Sequence, residues 1–266
     1  MKPDPETQPT QPALPTTIQT DRLILRLFDP SQPADYAAVL SIYDSPYAHR
    51  TVGNIGLTTH EDVDNRCRRF DLRRPRTTRS PSCSSSIPTH PWHLVYLRDN
   101  NKPDRQPDKP DTPDNTTGMV LIGLTSLFLR HPVPSPDLGY FIQEEYTGKG
   151  YATEAGKAAL KWWTEEMGVR DIWAGTMDTN HASQRVARKI GFVDGGVLRL
   201  LVADGVVVEG RAFVQPGMGK WLDGVVVVDV RQREGVSMEV SKYSNECESA
   251  RETVTDECGE EKAAVQ

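Results

Sequence analysis

The chain of 266 residues is predicted to form one α+β domain over about residues 18–220, with two looped insertions and a tail at each end. Three observations predict it. At roughly 150 residues per domain, the length leaves room for a sizeable core. Hydrophobic periods near 2 and near 3.6 succeed one another in the order strand, two helices, three strands, helix, strand, helix, two strands. Proline also collects outside those segments: of 20 prolines, five lie within 3–15, four within 75–91, four within 103–113 and three within 132–136.

Each element has its own signal. RLILRL (22–27) alternates as a half-buried strand; Pro33 to Asp44 reads as a helix, and His60 to Leu72 as a second one with Thr59 as N-cap. WHLVYL (92–97) and MVLIGLTSLFL (119–129) are strands that pair across the 99–117 segment, and LGYFI (138–142) is a third. From Gly150 to Met167, the residues Ala152, Ala155, Ala159, Leu160, Trp163 and Met167 fall on one helical stripe that Gly168 ends. DIWAGTM (171–177) is a strand and Ala182 to Ile190 a short helix. VLRLLVA (197–203) and VVVEGRAFV (206–214) make a hairpin turning at Asp204-Gly205.

The remaining segments have little to bury. Residues 1–17 are expected to be a disordered N-terminal tail, 73–91 and 99–117 to be loop insertions, and 221–266 to be an acidic, disordered C-terminal tail. With 31 basic and 37 acidic side chains the net charge is −6, against the basic excess of a dedicated nucleic-acid binder. Residues 223–266 alone carry −6, so the rest of the chain is neutral. No apolar run reaches the ~18 residues of a membrane span and no secretory leader is visible, so the expected location is cytoplasmic or nuclear, without a membrane partner. Cys67, Cys83, Cys247 and Cys258 are sparse and read as reduced thiols. Cys67, Cys83, His90 and His93 match no usual zinc spacing, and no metal is expected.

The most informative stretch is LGYFIQEEYTGKGYATEA (138–155): a strand, a short loop, two glycines two apart, and a helix. Gly148 and Gly150 let the backbone turn tightly against a ligand, and the free amides and dipole of the helix start favour a diphosphate. A strand-to-helix turn with glycines for geometry alone is the other reading. A Walker A loop fails, because neither Gly148-Lys149 nor Gly156-Lys157 has a glycine five positions earlier. A dinucleotide fingerprint fails too, since five residues separate Ile142 from Gly148. The second constellation is DTNHASQRVARKIGF (178–192), where Asn180 caps a helix at a strand end and Gly191-Phe192 closes it.

Together these two segments resemble the GNAT superfamily of acyl-CoA-dependent N-acetyltransferases. The resemblance is nearest to its ribosomal-protein alanine and serine N-acetyltransferase branch, which TDRLILR (20–26) and DLGYFI (137–142) also resemble. It covers about Ile18 to Val214. It implies a GNAT-like mixed, mostly antiparallel sheet flanked by helices, with a splayed central strand pair holding acetyl-CoA. It also implies transfer of an acetyl group to a primary amine, on a protein N-terminus or a small molecule. The family's turn, (Gln/Arg)-x-x-Gly-x-(Gly/Ala), is here Glu145-Tyr146-Thr147-Gly148-Lys149-Gly150, with an acid in place of the basic or amide residue.

The resemblance further implies backbone contacts to pantetheine near Phe141, Ile142 and Gln143, and phosphate contacts from Gly148, Lys149, Gly150, Tyr151 and Ala152, with Asn180 and Ser183 on the facing helix. Many relatives protonate the thiolate with a tyrosine seven positions after the asparagine. Ala187 stands there, and Ser183 is the replacement the branch implies. The attacking amine must shed a proton, more easily from an α-amine near pKa ~8 than from a lysine near ~10.4. Asp137 and Glu209 are candidates to orient the water that takes it, each with a surface-carboxylate alternative. Two other readings stay open: a catalytically silent acyl-CoA sensor, and an RNA- or ribosome-associated protein using the arginines of RCRRFDLRRPRTTR (66–79).

Overall fold

The computed structural model describes residues 16–53, 55–69, 71–72, 87–98, 118–130, 133–201, 207–220 and 222–228. The chain runs β1 (Thr17–Gln19), β2 (Leu23–Leu27), α1 (Pro33–Tyr43), α2 (Pro46–Thr51), α3 (His60–Arg69), β3 (Trp92–Leu97), β4 (Val120–Leu129) and β5 (Pro136–Ile142). It continues through α4 (Tyr151–Lys161), β6 (Trp173–Met177), α5 (His181–Ile190), β7 (Val193–Leu201), β8 (Val207–Val214) and β9 (Val226–Val228). Nine strands form one sheet in the order β1-β2-β3-β4-β5-β6-β8-β7-β9. Neighbours are antiparallel except β5 with β6 and β7 with β9, so the mixed, mostly antiparallel sheet is present.

Strand alternation divides the side chains between two layers. Leu23, Leu25, Leu138 and Ile142 pack with Ala155, Ala159, Trp163 and Ile190 of α4 and α5. Trp92, Leu94, Phe128 and Phe141 pack on the other face with Tyr36, Val39, Ile42 and Val63 of α1 and α3. Arg26 also faces that second layer, and it is tolerated there because Asp35 of α1 accepts a hydrogen bond from its Nη1 at 2.8 Å.

Several elements differ from the sequence reading. Ser45 caps the unforeseen α2 by accepting from the Ala48 amide at 3.1 Å, with Pro46 at the first helical position. After Lys161 the helix widens into a π turn over Trp162–Glu166, with the Met167 amide donating to the Trp162 carbonyl. The added residue rotates the following turn, so Trp162 is buried beside Trp163 rather than lying off the stripe. Third, the tail expected from residue 221 begins inside the sheet. Leu222 and Val225 are buried against Trp173, Leu198 and Val214, and β9 adds to β7. The domain boundary at 220 is therefore corrected to at least Val228; a short valine run next to an acid-rich stretch conceals an edge strand. At the other end Thr17 opens β1 instead of closing a tail. The hairpin turn at Asp204-Gly205, residues 1–15, 73–86 and 99–117, and everything after Val228 lie outside the described residues. Within the first expected insertion, Ile87 to Pro91 are described, with Ile87 packed on the core.

Candidate active-site cleft

The site is made by an interruption of the sheet. β5 and β6 pair in parallel at one position, Asp137 opposite Trp173, and then part. Where the next ladder bond would form, the Gly175 amide instead donates to Asp137 Oδ1 at 2.9 Å. The second carboxylate oxygen of Asp137 takes the Arg130 guanidinium in a close ion pair. Asp137 thus lies wedged between the strands, 3% exposed. Beyond the wedge opens a cleft of about 460 Å³.

One wall of the cleft is the free side of β5. In its antiparallel ladder with β4, the Gln143 amide donates to the Ile122 carbonyl at 2.8 Å. Because bonded and non-bonded pairs alternate, the main-chain groups of Phe141 and Gln143 turn toward β4, while those of Tyr140 and Ile142 turn into the gap. This corrects the expected backbone trio: of Phe141, Ile142 and Gln143, only Ile142 presents its peptide to the cleft, and Tyr140 joins it. Parity was readable in the sequence, but the partner on each side was not. The Phe141 side chain still lines the cleft, whereas Gln143 does not and its Nε2 donates to the Leu121 carbonyl.

At the end of β5 a short turn, Glu144–Tyr146, leads to Gly148 and Gly150 at φ of +75° and +84°. A side chain at Gly148 would meet only open space. The first main-chain bond of α4 runs from the Glu154 amide to the Gly150 carbonyl, so the amides of Tyr151, Ala152 and Thr153 have no acceptor within the helix. All three residues line the cleft with Gly148 and Gly150. Their orphan amides and the helix dipole fit a phosphate group.

Lys149 points elsewhere. Its Nζ donates to the Glu145 carbonyl at 3.0 Å, its own carbonyl accepts from Arg22, and it does not line the cleft. Arg22, on the approach to β2, braces the turn: Nε donates to Glu154 Oε2 at 2.7 Å, Nη1 to the Lys149 carbonyl at 3.0 Å, and the guanidinium stacks over Tyr151. Burial raises the Glu154 pKa, but hydrogen bonds from Thr20 and from the Arg22 amide and side chain outweigh it and hold the carboxyl below its ordinary value. Glu145, the departure from the family turn, is exposed and outside the cleft lining.

The opposite wall is the start of α5. Asn180 Oδ1 accepts from the Ser183 amide at 3.0 Å, and both residues line the cleft. The Ser183 hydroxyl donates to the Tyr140 hydroxyl at 3.2 Å, which in turn donates to the Ser183 carbonyl at 2.9 Å. Burial, the main cause, pushes the Tyr140 phenol up to about 12. The Tyr140 hydroxyl also lies within reach of the backbone at Ala187. The sequence pattern marked Ser183; Tyr140 was missed because a strand tyrosine carries no sign of a partner 43 positions away.

Glu209 is not brought to the site. It is exposed on β8, opposite Arg199 of β7, does not line the cleft, and offers its carbonyl to the Asp178 amide. Asp137 is the one carboxylate among the described lining residues. On the α1–α3 side the lining comes from Tyr43, Tyr47, Val52, Ile55 and Arg66. Arg66 is 6% exposed and stacks on Phe128, so it is no part of a solvent-facing basic strip. Among the described residues no group of three or more His, Cys, Asp or Glu could hold a metal.

The family profile "Acetyltransferase (GNAT) domain" matches residues 22–193. The Bacillus subtilis protein named Probable N-acetyltransferase YjcK is 37% identical over 81 residues, 30% of this chain; the match spans 45% of that curated relative. Among solved structures, a GNAT-family acetyltransferase from Bacillus anthracis aligns at 21% identity over 74% of this chain and 96% of its own, with a TM-score of 0.49. The ribosomal-protein-S5-alanine acetyltransferase of Vibrio fischeri aligns at 14% identity over 75% of this chain and 95% of its own, with a TM-score of 0.44.

Proposed function

Because the chain belongs to the GNAT family of acetyltransferases, we propose that its cleft binds acetyl-CoA between β5 and α5 and passes the acetyl group directly to a primary amine entering from the α1–α3 side. One observation carries this reading: the sheet parts at Asp137 just where an anion-binding helix start and a capped helix N-terminus face each other across the gap. The amides of Tyr151 to Thr153 meet the diphosphate. The outward peptides of Tyr140 and Ile142 hold the pantetheine chain and polarise the thioester carbonyl, whose oxygen gains charge as the amine nitrogen attacks. When the C–S bond breaks, the departing thiolate takes a proton from the hydroxyl pair of Ser183 and Tyr140 or from water beside it. Within that pair the Tyr140 phenol, even pushed up to about 12 by burial, is the stronger acid, and the aliphatic hydroxyl of Ser183 hydrogen-bonds to it.

Asp137 is a positioning residue here. Its oxygens are engaged by Arg130 and the Gly175 amide, and it fixes the width of the cleft mouth. The amine proton therefore leaves through water, which favours acceptors of lower pKa such as an α-amine at a protein N-terminus over a lysine side chain.

The test uses the full chain: thermal denaturation with and without acetyl-CoA, then free-thiol release over a panel of small amines and N-terminal peptides. Saturating acetyl-CoA is expected to raise the melting temperature, by about 2.7 kcal/mol of stability at a hundredfold excess over Kd. Thiol release is expected to be fastest with α-amine peptides. No stabilisation would sink the reading, and stabilisation without thiol release for any amine would favour a silent acyl-CoA sensor.

A further inference from the structure

On the α1–α3 side the floor of the cleft is made by residues of β4 and β5 that share one face of the sheet: Leu124, Ser126, Asp137, Gly139 and Phe141. Leu124 stands opposite Phe141 in the ladder, and Ser126 opposite Gly139. Leu124 and Phe141 are apolar, and the Asp137 carboxylate is taken by Arg130 and the Gly175 amide. Ser126 is the polar group of this floor that remains. It is 4% exposed, and among the described residues its hydroxyl has no hydrogen-bond partner. Such a hydroxyl is costly to bury unless a group entering the cleft completes it.

Gly139 shows how the hydroxyl reaches the cleft. A Cβ at Gly139 would lie 2.5 Å from Ser126 Oγ, whereas the next nearest atoms, Ser126 Cβ and its carbonyl oxygen, are 3.8 and 3.9 Å away. The φ of Gly139 is not positive, so the backbone itself does not call for glycine; the side-chain space at this position is what the hydroxyl occupies. The next residue along the strand is Tyr140, whose peptide turns into the gap between β5 and β6. Ser126 Oγ therefore sits beside the main-chain groups assigned to the thioester carbonyl, on the side from which the amine arrives.

We propose that Ser126 holds the acceptor amine for attack: an amine N–H donates to Ser126 Oγ, which turns the nitrogen lone pair toward the thioester carbon. This rests on the acetyl-transfer reading above and adds to it the group that receives the nucleophile. As the C–N bond forms and the C–S bond breaks, the surplus proton on nitrogen passes to water, and Ser126 leaves the cycle as the hydroxyl it entered. Its own O–H donates to that water. An uncharged acceptor suits the task. It binds the neutral amine without favouring the unreactive ammonium form, as an unpaired carboxylate would.

The test compares the wild type, Ser126→Ala, Gly139→Ala and the double variant in melting temperature, acetyl-CoA dissociation constant and kinetics at saturating acetyl-CoA, with the amine turned over fastest in the panel above. Ser126→Ala is expected to lower kcat/KM for the amine roughly tenfold, as for loss of one hydrogen bond to the reacting group, with acetyl-CoA affinity and melting temperature unchanged. Gly139→Ala pushes the hydroxyl aside and should lose a similar factor in the wild type. It should lose nothing further in Ser126→Ala, where the nearest remaining atom, the Cβ of residue 126, lies 3.8 Å away. Unchanged kcat/KM in Ser126→Ala, a fall in acetyl-CoA affinity as large as the fall in activity, or an equal cost of Gly139→Ala in both backgrounds overturns the proposal and leaves acetyl transfer standing. Failure of the wild type to acetylate any amine overturns both.

Discussion

Asp137 illustrates how far a residue's type falls short of its role. Its position at the start of the ligand strand invites assignment as a base, but its two oxygens meet a guanidinium and a main-chain amide. Replacement with asparagine keeps the shape and removes the charge that faces Arg130. We expect Asp137→Asn to cost on the order of 3 kcal/mol, the usual range for breaking a buried pair, seen as a lower melting temperature. The pH-rate profile should keep its shape and follow the acceptor amine; disappearance of an acidic limb with the fold intact would restore Asp137 as the base. The candidates that line the cleft, Gly148, Gly150, Asn180 and Ser183, are placed there by local geometry that a short motif encodes. Those that do not line it, Gln143, Lys149 and Glu209, depend on which strand or carbonyl lies alongside, and that is fixed by partners distant in sequence.

At the scale of elements, the end of α4 and the strand beneath it form a sensitive joint. His93 of β3 is wholly buried, with its ring edge-on to Trp162 and Trp163 at centroid distances of 4.8 and 5.8 Å. Neither ring nitrogen has a protein hydrogen-bond partner among the described residues. Burial lowers its pKa to about 3 from an ordinary 6.5. The unfolded chain therefore binds a proton between those values that the folded chain refuses. Stability should fall as pH drops from about 6.5 toward 3, by up to about 1.4 kcal/mol per pH unit from this group. Denaturant titrations at pH 6.5 and 5, above the ordinary carboxylate range, are expected to show the slope in the wild type and its loss in His93→Leu. A slope that survives the substitution would place its origin elsewhere. At the other end of α4, Gly150→Ala must hold an L side chain at φ +84° with its Cβ 3.4 Å from Arg22 Nη2. The expected cost is about 1 kcal/mol, together with weaker acetyl-CoA binding. The helix, strand and glycine assignments here were legible from periodicity. The π turn was not, because a single added residue leaves the hydrophobic stripe looking regular.

At the scale of the whole molecule, the chain order of the central elements followed from the sequence, and so did two pairings, β3 with β4 across residues 99–117 and β7 with β8. The boundaries did not. A strand of three residues at a sheet edge, such as β1 or β9, has too few positions to show a period, and it is recognisable only by what it covers. Truncation measures the difference. Removal of residues 229–266 is expected to leave the melting temperature nearly unchanged, whereas removal of 221–266 strips Leu222 and Val225 from their packing against Trp173, Leu198 and Val214 and bares β7. Two such side chains are worth about 3 kcal/mol or more; equal melting temperatures for the two truncations would return the boundary to 220.

The parting of β5 from β6 has a further consequence. A strand with one unpaired side normally lies at the rim of a sheet, where it invites another chain, and proteins blunt it with charge or cover. Here such a rim runs through the middle of the molecule, screened on both sides by helices, with the peptides of Tyr140 and Ile142 as its open positions. A slender ligand that hydrogen-bonds there takes the place of a missing strand and, for as long as it stays, joins the two halves into a continuous sheet. Exchange of the Tyr140 and Ile142 amides with solvent deuterium should slow on adding acetyl-CoA far more than that of Phe141 and Gln143, whose bonds to β4 are made with or without it.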